Sequence, residues 1–196
     1  KQPRTIQFIE KQTAMPIRRV GAEYMEEYVH ETLKYIGNIC KDKELTVLSV
    51  GIKEAINNVY DHSQSEIGAY VFCQYYPAIK EIKLCVSDYG CGIPSVVRKN
   101  NPNLNAEECV KWALKEKNTT KSRPNNQGLG LSLIRSFAQN TEGKLTILTE
   151  NCYYIYSRGK ERFSNPIKGF QGTLIELSIK VDSLEESGDL LDYDWS

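Results

Sequence analysis

If residues 54–62, EAINNVYDH, form a helix turning about 100° per residue, then Glu54, Asn58 and Asp61 fall within about 60° of one another. That face carries a carboxylate, an amide and a second carboxylate, with His62 at its end. Such groups can ligate a hard cation or move a proton. An ordinary solvated helix face has the same make-up, so its meaning depends on what accompanies it.

Two glycine-bearing turns accompany it. In Asp88-Tyr-Gly90-Cys-Gly92 a carboxylate closes an apolar strand, and the glycines let backbone turn sharply and approach a flat ligand. In Gln127-Gly128-Leu129-Gly130 glycines open a helix, where free backbone N–H groups and the positive end of the helix dipole suit phosphate oxygens. Each turn alone is a common signal.

The elements that must position these groups follow from periodicity. Leu48, Ile52, Ala55, Ile56 and Val59 lie opposite Glu54 and Asn58, which predicts an amphipathic helix from about Leu45 to His62. Upstream, TIQFIE reads as a short strand or docked arm ended by Pro16. Ile17–Cys40 reads as one long helix with Val20, Tyr24, Tyr28, Leu33, Ile36 and Ile39 toward the core.

Strand patterns occupy 67–76 and 81–88, on either side of PAIK. A polar stretch, VRKNNPNLN, precedes a helix in AEECVKWALKEK with Cys109, Val110, Ala113 and Leu114 on its apolar side. The aperiodic NTTKSRPNNQG at 118–128 is a loop, followed by a helix using Leu129, Leu133, Ile134 and Phe137 and stopped by Gly143. Strands at 144–150, 152–157 and 172–181 close the unit. This order predicts an α+β fold, a two-layer α/β sandwich whose mixed, mostly antiparallel sheet is covered on one face by helices.

Composition bounds the function. The 196 residues are 40% hydrophobic, enough for one substantial core. Lys plus Arg and Asp plus Glu each number 25, so no global field draws the chain to nucleic acid or an anionic membrane. No apolar run approaches membrane-spanning length and no signal peptide opens the sequence, which sets the expectation of a cytoplasmic protein. The six cysteines show no zinc spacing; four read as small core residues, while Cys91 stands between two glycines.

Taken in this order, E-x-x-x-N on a helix, D-x-G-x-G after a strand and G-x-G opening a helix, the chain resembles the ATP-binding superfamily of DNA gyrase, heat-shock chaperones, histidine kinases and MutL proteins (GHKL). Their shared arrangement is the Bergerat fold. Glu54 and Asn58 match its N box, Asp88, Gly90 and Gly92 its first glycine box, and Gly128 and Gly130 its second. Gly172-Thr173 looks like the pair that opens its last strand. The resemblance covers roughly 45–180. It implies residues 45–181 as a histidine-kinase-like ATP-binding domain, 1–44 as an arm and helix packed on or extending it, and 182–196 as an acidic tail.

The resemblance implies ATP and Mg2+ as cofactors, with Asn58 ligating the metal and Glu54 orienting or deprotonating a nucleophile beside the γ-phosphate. It assigns Asp88 to the adenine amino group, Gly90 and Gly92 to the close backbone approach, and Thr173 to support of the base through a water. Gly128, Leu129 and Gly130 fall at the phosphates. Residues 93–127 would form the lid, with Lys121 or Arg123 either reaching the γ-phosphate or merely solvated. His62 either faces the phosphates or caps its helix. Asn126 departs from the family's glycine at the start of the second box, which bears on lid geometry.

Within the superfamily, His30 lacks the proline of a phosphoacceptor motif and reads as a helix-surface residue. Only a short acidic stretch follows Val181, so no transducer domain of gyrase or MutL type is expected, unless the chain, which begins at Lys1, is a piece of a longer one. What remains resembles stand-alone or linker-joined histidine-kinase-like ATPases, including the anti-sigma-factor serine kinases that phosphorylate a partner protein, or a histidine kinase catalytic domain without its phosphoacceptor. The expected partners are ATP and a protein acting as substrate or regulator, with residues 17–40 a candidate homodimer element. The alternative is a nucleotide-gated interaction module with little turnover.

Overall fold

Alternating apolar and polar residues give each central strand one buried face. In β3 (Glu81–Ser87), Ile82, Leu84 and Val86 are buried while their neighbours are half-exposed. The computed structural model describes residues 13–115, 130–166 and 168–186. Among these residues seven strands form one sheet in the order β1-β2-β3-β7-β4-β5-β6, and every pair of them is antiparallel. They are β1 (Arg18–Val20), β2 (Ala69–Tyr76), β3, β4 (Lys144–Glu150), β5 (Cys152–Ser157), β6 (Lys160–Ser164) and β7 (Phe170–Lys180).

Among the described residues, five α-helices accompany the sheet: α1 (Met25–Ile39), α2 (Thr46–Asn58), α3 (Gly92–Arg98), α4 (Ala106–Ala113) and α5 (Gly130–Asn140). Leu48, Ile52, Ala55 and Ile56 of α2 are all buried and share one hydrophobic cluster with Ile134, Phe137 and Ala138 of α5 and Leu145 and Ile147 of β4. Gly51 lies where α5 crosses, with Ile134 3.7 Å from the place a Cβ would occupy. The α4 helix starts on a capping box: Asn105 Oδ1 accepts from the Glu108 N–H at 2.9 Å, and Glu108 Oε2 from the Asn105 N–H at 2.8 Å.

Several sequence expectations are corrected. The single helix over Ile17–Cys40 is instead an edge strand, a short 3₁₀ turn and α1. Val20 is buried because β1 pairs with β2 opposite Ala69, and Tyr24 is exposed rather than in the core. Three residues are too few for a strand period to declare itself. The short stretch from the Asp88 turn into VRKNNPNLN, for which no element is expected, forms α3, whose Val96 and Val97 pack inward. The strand β6 was unforeseen because KERFS is polar nearly throughout. At the end of α5 it is Glu142 that takes the left-handed conformation (φ 48°), while Gly143 packs where a Cβ would press on the Ser178 carbonyl.

The last described residues return to the start of α2. Glu186 pairs in an isolated bridge with Lys43, the Glu44 N–H donates to the Glu185 carbonyl at 2.9 Å, and Leu184 is buried. Tyr28, Val29 and Ile36 of α1 belong to the same cluster as the sheet, so α1 shares its core. Among the described residues, no helix is long and apolar enough to cross a membrane.

Candidate functional site

The antiparallel order brings three strand ends together. The end of β3 meets the start of β7, with Ser87 opposite Leu174, and the end of β4 meets the same place, with Thr149 opposite Thr173. Asp88 therefore emerges beside Thr173, and its N–H donates to the Thr173 carbonyl at 2.9 Å. Gly172 is held at φ 92°, a conformation glycine enters freely, and a Cβ there would strike the Asp88 and Tyr89 backbone.

Asp88 is buried, at 5% exposure. Its Oδ1 accepts from the Gly90 N–H at 2.7 Å, so the carboxylate organises its own loop. Burial pushes the carboxyl up from the ordinary carboxylate value, while hydrogen bonds from the Gly90 and Thr173 backbone and the Ser63 hydroxyl pull the other way. Desolvation outweighs them. An aspartate kept in this state is a strong, directional acceptor for one donor group.

The α2 helix reaches this loop through its last turn. Regular α-helix ends at Asn58, and Val59–Ser63 form a π-helical turn, a feature frequent at functional sites. The turn delivers two carbonyls to the glycine loop. Ser63 O accepts from the Cys91 N–H at 2.7 Å, and His62 O from the Cys91 thiol at 3.3 Å. A Cβ on Gly90 would lie 2.6 Å from the Ser63 carbonyl carbon and 2.8 Å from its Cβ, so only glycine fits.

Glu54 and Asn58 are half-exposed on the side of α2 away from the core, one turn apart. No described residue hydrogen-bonds or ion-pairs with either side chain. Asp61 is exposed and His62 half-buried; both sit in the π turn, beyond the regular helix that the 100° spacing assumes, and both have interaction partners. The neighbouring Lys53 ion-pairs at 2.6 Å with Glu26 of α1.

Gly92 is held at φ 73° at the first position of α3, 2.7 Å from Thr149 Oγ1 when given a Cβ. Gly130 is the first residue of α5. Lys121, Arg123, Gly128 and Leu129 lie outside the described residues. The structure thus brings Asp88, Gly90, Gly92 and Thr173 into one hydrogen-bonded cluster and ties it to the end of the helix bearing Glu54 and Asn58.

Sequence reasoning missed Ser63 and Thr149. Ser63 could have been suspected as a hydroxyl following EAINNVYDH. Nothing in the sequence marks Thr149, a β-branched residue in a strand, where such residues are ordinary.

A metal held here would have to be of a particular kind. Among the described residues, no group of three His, Cys, Asp or Glu side chains could cage an ion. Among the described residues the Asn58 amide has no partner, and its neutral oxygen suits Mg2+, a hard cation that keeps several waters and completes its octahedron with phosphate oxygens.

A family model described as histidine kinase-like ATPase domain matches residues 22–147. No curated protein matches the sequence. Among solved structures, the B-subunit of the DNA gyrase from Myxococcus xanthus aligns at 11% identity with a TM-score of 0.34, covering 78% of this chain and 42% of that one.

Proposed function

From the premise that this chain belongs to the histidine kinase-like ATPase domain family, we propose that it binds Mg-ATP at the junction of α2 with the β3 and β7 strand ends and acts as a signalling kinase or ATPase on a partner protein. The observation that carries the reading is the buried Asp88 carboxylate, which shares a hydrogen-bonded cluster with Thr173 and with the loop sealed against α2.

Asp88 accepts the adenine amino proton, and the close approach allowed by Gly90 and Gly92 lets the ring lie flat beside the backbone. Thr173, half-buried near the start of β7, supports the base through a water. Asn58 offers its amide oxygen to Mg2+, which when bound would neutralise developing charge on the phosphates. Glu54, one turn earlier and without a partner among the described residues, orients or deprotonates the attacking group. Lys121, Gly128, Leu129 and Gly130 take the phosphate end.

A second reading, a nucleotide-gated interaction module, draws on the Glu26–Lys53 pair, which links α1 to the turn of α2 that carries Glu54. In it ATP occupancy alters how residues 17–40 meet a partner, with turnover incidental.

Calorimetry with Mg-ATP tests the common core: Asn58→Ala and Asp88→Asn should each abolish binding, and unchanged affinity in both refutes it. Incubation with γ-labelled ATP, Mg2+ and cell extract separates the two readings. A labelled protein that disappears with Glu54→Gln supports the kinase. Tight ATP binding with neither labelling nor phosphate release supports the module and sinks the kinase.

A further inference from the structure

Thr149 is fully buried at the end of β4, and its hydroxyl makes two bonds to two different segments. It donates to the Gly172 carbonyl at 2.8 Å and accepts from the Ile93 N–H at 3.2 Å. Gly172 immediately precedes Thr173, and Ile93 immediately follows the Asp88–Gly92 loop. One hydroxyl therefore joins the two backbone segments that flank the candidate base pocket.

The surroundings leave that hydroxyl no other use. A Cβ on Gly92 would lie 2.7 Å from Thr149 Oγ1 and 2.9 Å from Gly172 O, so loop and strand close directly over it. The β4–β7 register shifts just after Thr149, and the adjacent Glu150 carboxylate holds Arg98 Nη1, at the far end of α3, at 2.8 Å. β4 thus grips α3 at both ends, through Thr149 at its start and Glu150 at its finish. The buried Gly172 carbonyl and the Ile93 N–H, in the first turn of α3 where no helix carbonyl serves it, are both satisfied by a single group with one donor and free lone pairs.

We propose that Thr149 is a positioning residue for nucleobase discrimination: its hydroxyl sets the separation of the glycine loop from the start of β7, and so holds the Asp88 carboxylate where it distinguishes a purine bearing a 6-amino group from one without it. The inference rests on the ATP-binding reading above. Thr149 itself touches no ligand; it acts through Gly172 and Ile93.

The test compares dissociation constants for ATP and for purine riboside triphosphate, which lacks the 6-amino group and introduces no new donor. Wild type should prefer ATP by roughly 10-fold or more, the worth of one hydrogen bond to a buried charge. Thr149→Val should lose most of that preference, through weaker ATP binding with the analogue's affinity little changed. Thr149→Ser, which keeps the hydroxyl, should retain the preference. If valine destabilises the fold, Thr149→Ala removes the same hydroxyl without pressing a methyl on the Gly172 carbonyl.

Equal weakening toward both nucleotides would mean that Thr149 is merely structural, and an intact preference in the hydroxyl-free variants would mean that it does nothing; either result overturns the proposal. A wild type with no ATP preference, or one whose preference survives Asp88→Asn, overturns the base-recognition reading instead, and this inference falls with it.

Discussion

Replacing Gly90 with alanine tests whether the contact between α2 and the Asp88 loop holds the site together. The new Cβ would stand 2.6 Å from the Ser63 carbonyl carbon, whereas carbon atoms pack best at roughly 3.5–4.0 Å. Loop and π turn must therefore part by about 1 Å. The 2.7 Å bond from Cys91 N–H to Ser63 O lies across that gap, and stretched by about 1 Å it is no longer a hydrogen bond. Overpacking and the stranded carbonyl together should cost about 2–5 kcal/mol. For a chain of this size that lowers Tm by roughly 5–15 °C.

Asp88 moves with its loop, so ATP affinity should fall by at least about 10-fold. The control is Gly159→Ala. Gly159 has φ 73° but nothing within 4 Å of its would-be Cβ, so only left-handed strain of about 1–2 kcal/mol applies, with ATP affinity unchanged. Urea unfolding and calorimetry read both variants. A Gly90→Ala protein as stable as Gly159→Ala and binding ATP like wild type would show that the contact between α2 and the loop does not position the site.

Two further outcomes follow from the titratable groups. Because burial raises the Asp88 carboxyl above the ordinary aspartate value, the folded state holds that proton more tightly than the unfolded chain. Its contribution to stability is present below the unfolded value and is lost as pH rises through the folded one. ATP binding, which needs the anion, runs the other way: affinity should decline on acidification beginning at higher pH than an ordinary aspartate would give, and a flat affinity down to the ordinary aspartate range would refute the link. Among the cysteines, burial pushes Cys40, Cys85 and Cys152 up to about 11 and Cys73 up to about 12, so iodoacetamide at neutral pH should modify half-exposed Cys91 first. Mass spectrometry should show Mg-ATP slowing that reaction, and indifference to nucleotide would place Cys91 away from the ligand.

What the sequence made legible was whatever repeats. The apolar face of α2 and the alternation of β3 declare themselves over several periods, and the glycine turns declare themselves by residue type. Short elements did not: β1 spans three residues, and α3 spans seven, one of them Pro94. Thr149 was illegible for a different reason. Its partners Ile93 and Gly172 lie 56 and 23 residues away in sequence, and only the β4–β7 register puts them within reach of one hydroxyl. The polar face of α2 was legible only as far as the helix stays regular. Spacing at 100° per residue groups Asp61 with Glu54 and Asn58, but the backbone leaves that geometry at Val59.

That departure explains how two chemically different halves of the site are kept in register. Were α2 to continue as ordinary α-helix past Asn58, its last carbonyls would be committed to the next turn or to solvent. The π turn instead presents Ser63 O and His62 O to Cys91, while the Ser63 hydroxyl reaches the Asp88 carboxylate. Asn58, which suits a cation and phosphates, and Asp88, which suits a base, are thereby fixed to one another through five residues of helix and two backbone-carbonyl contacts. A ligand long enough to engage both meets a spacing already set, so little of its binding energy goes into ordering these groups.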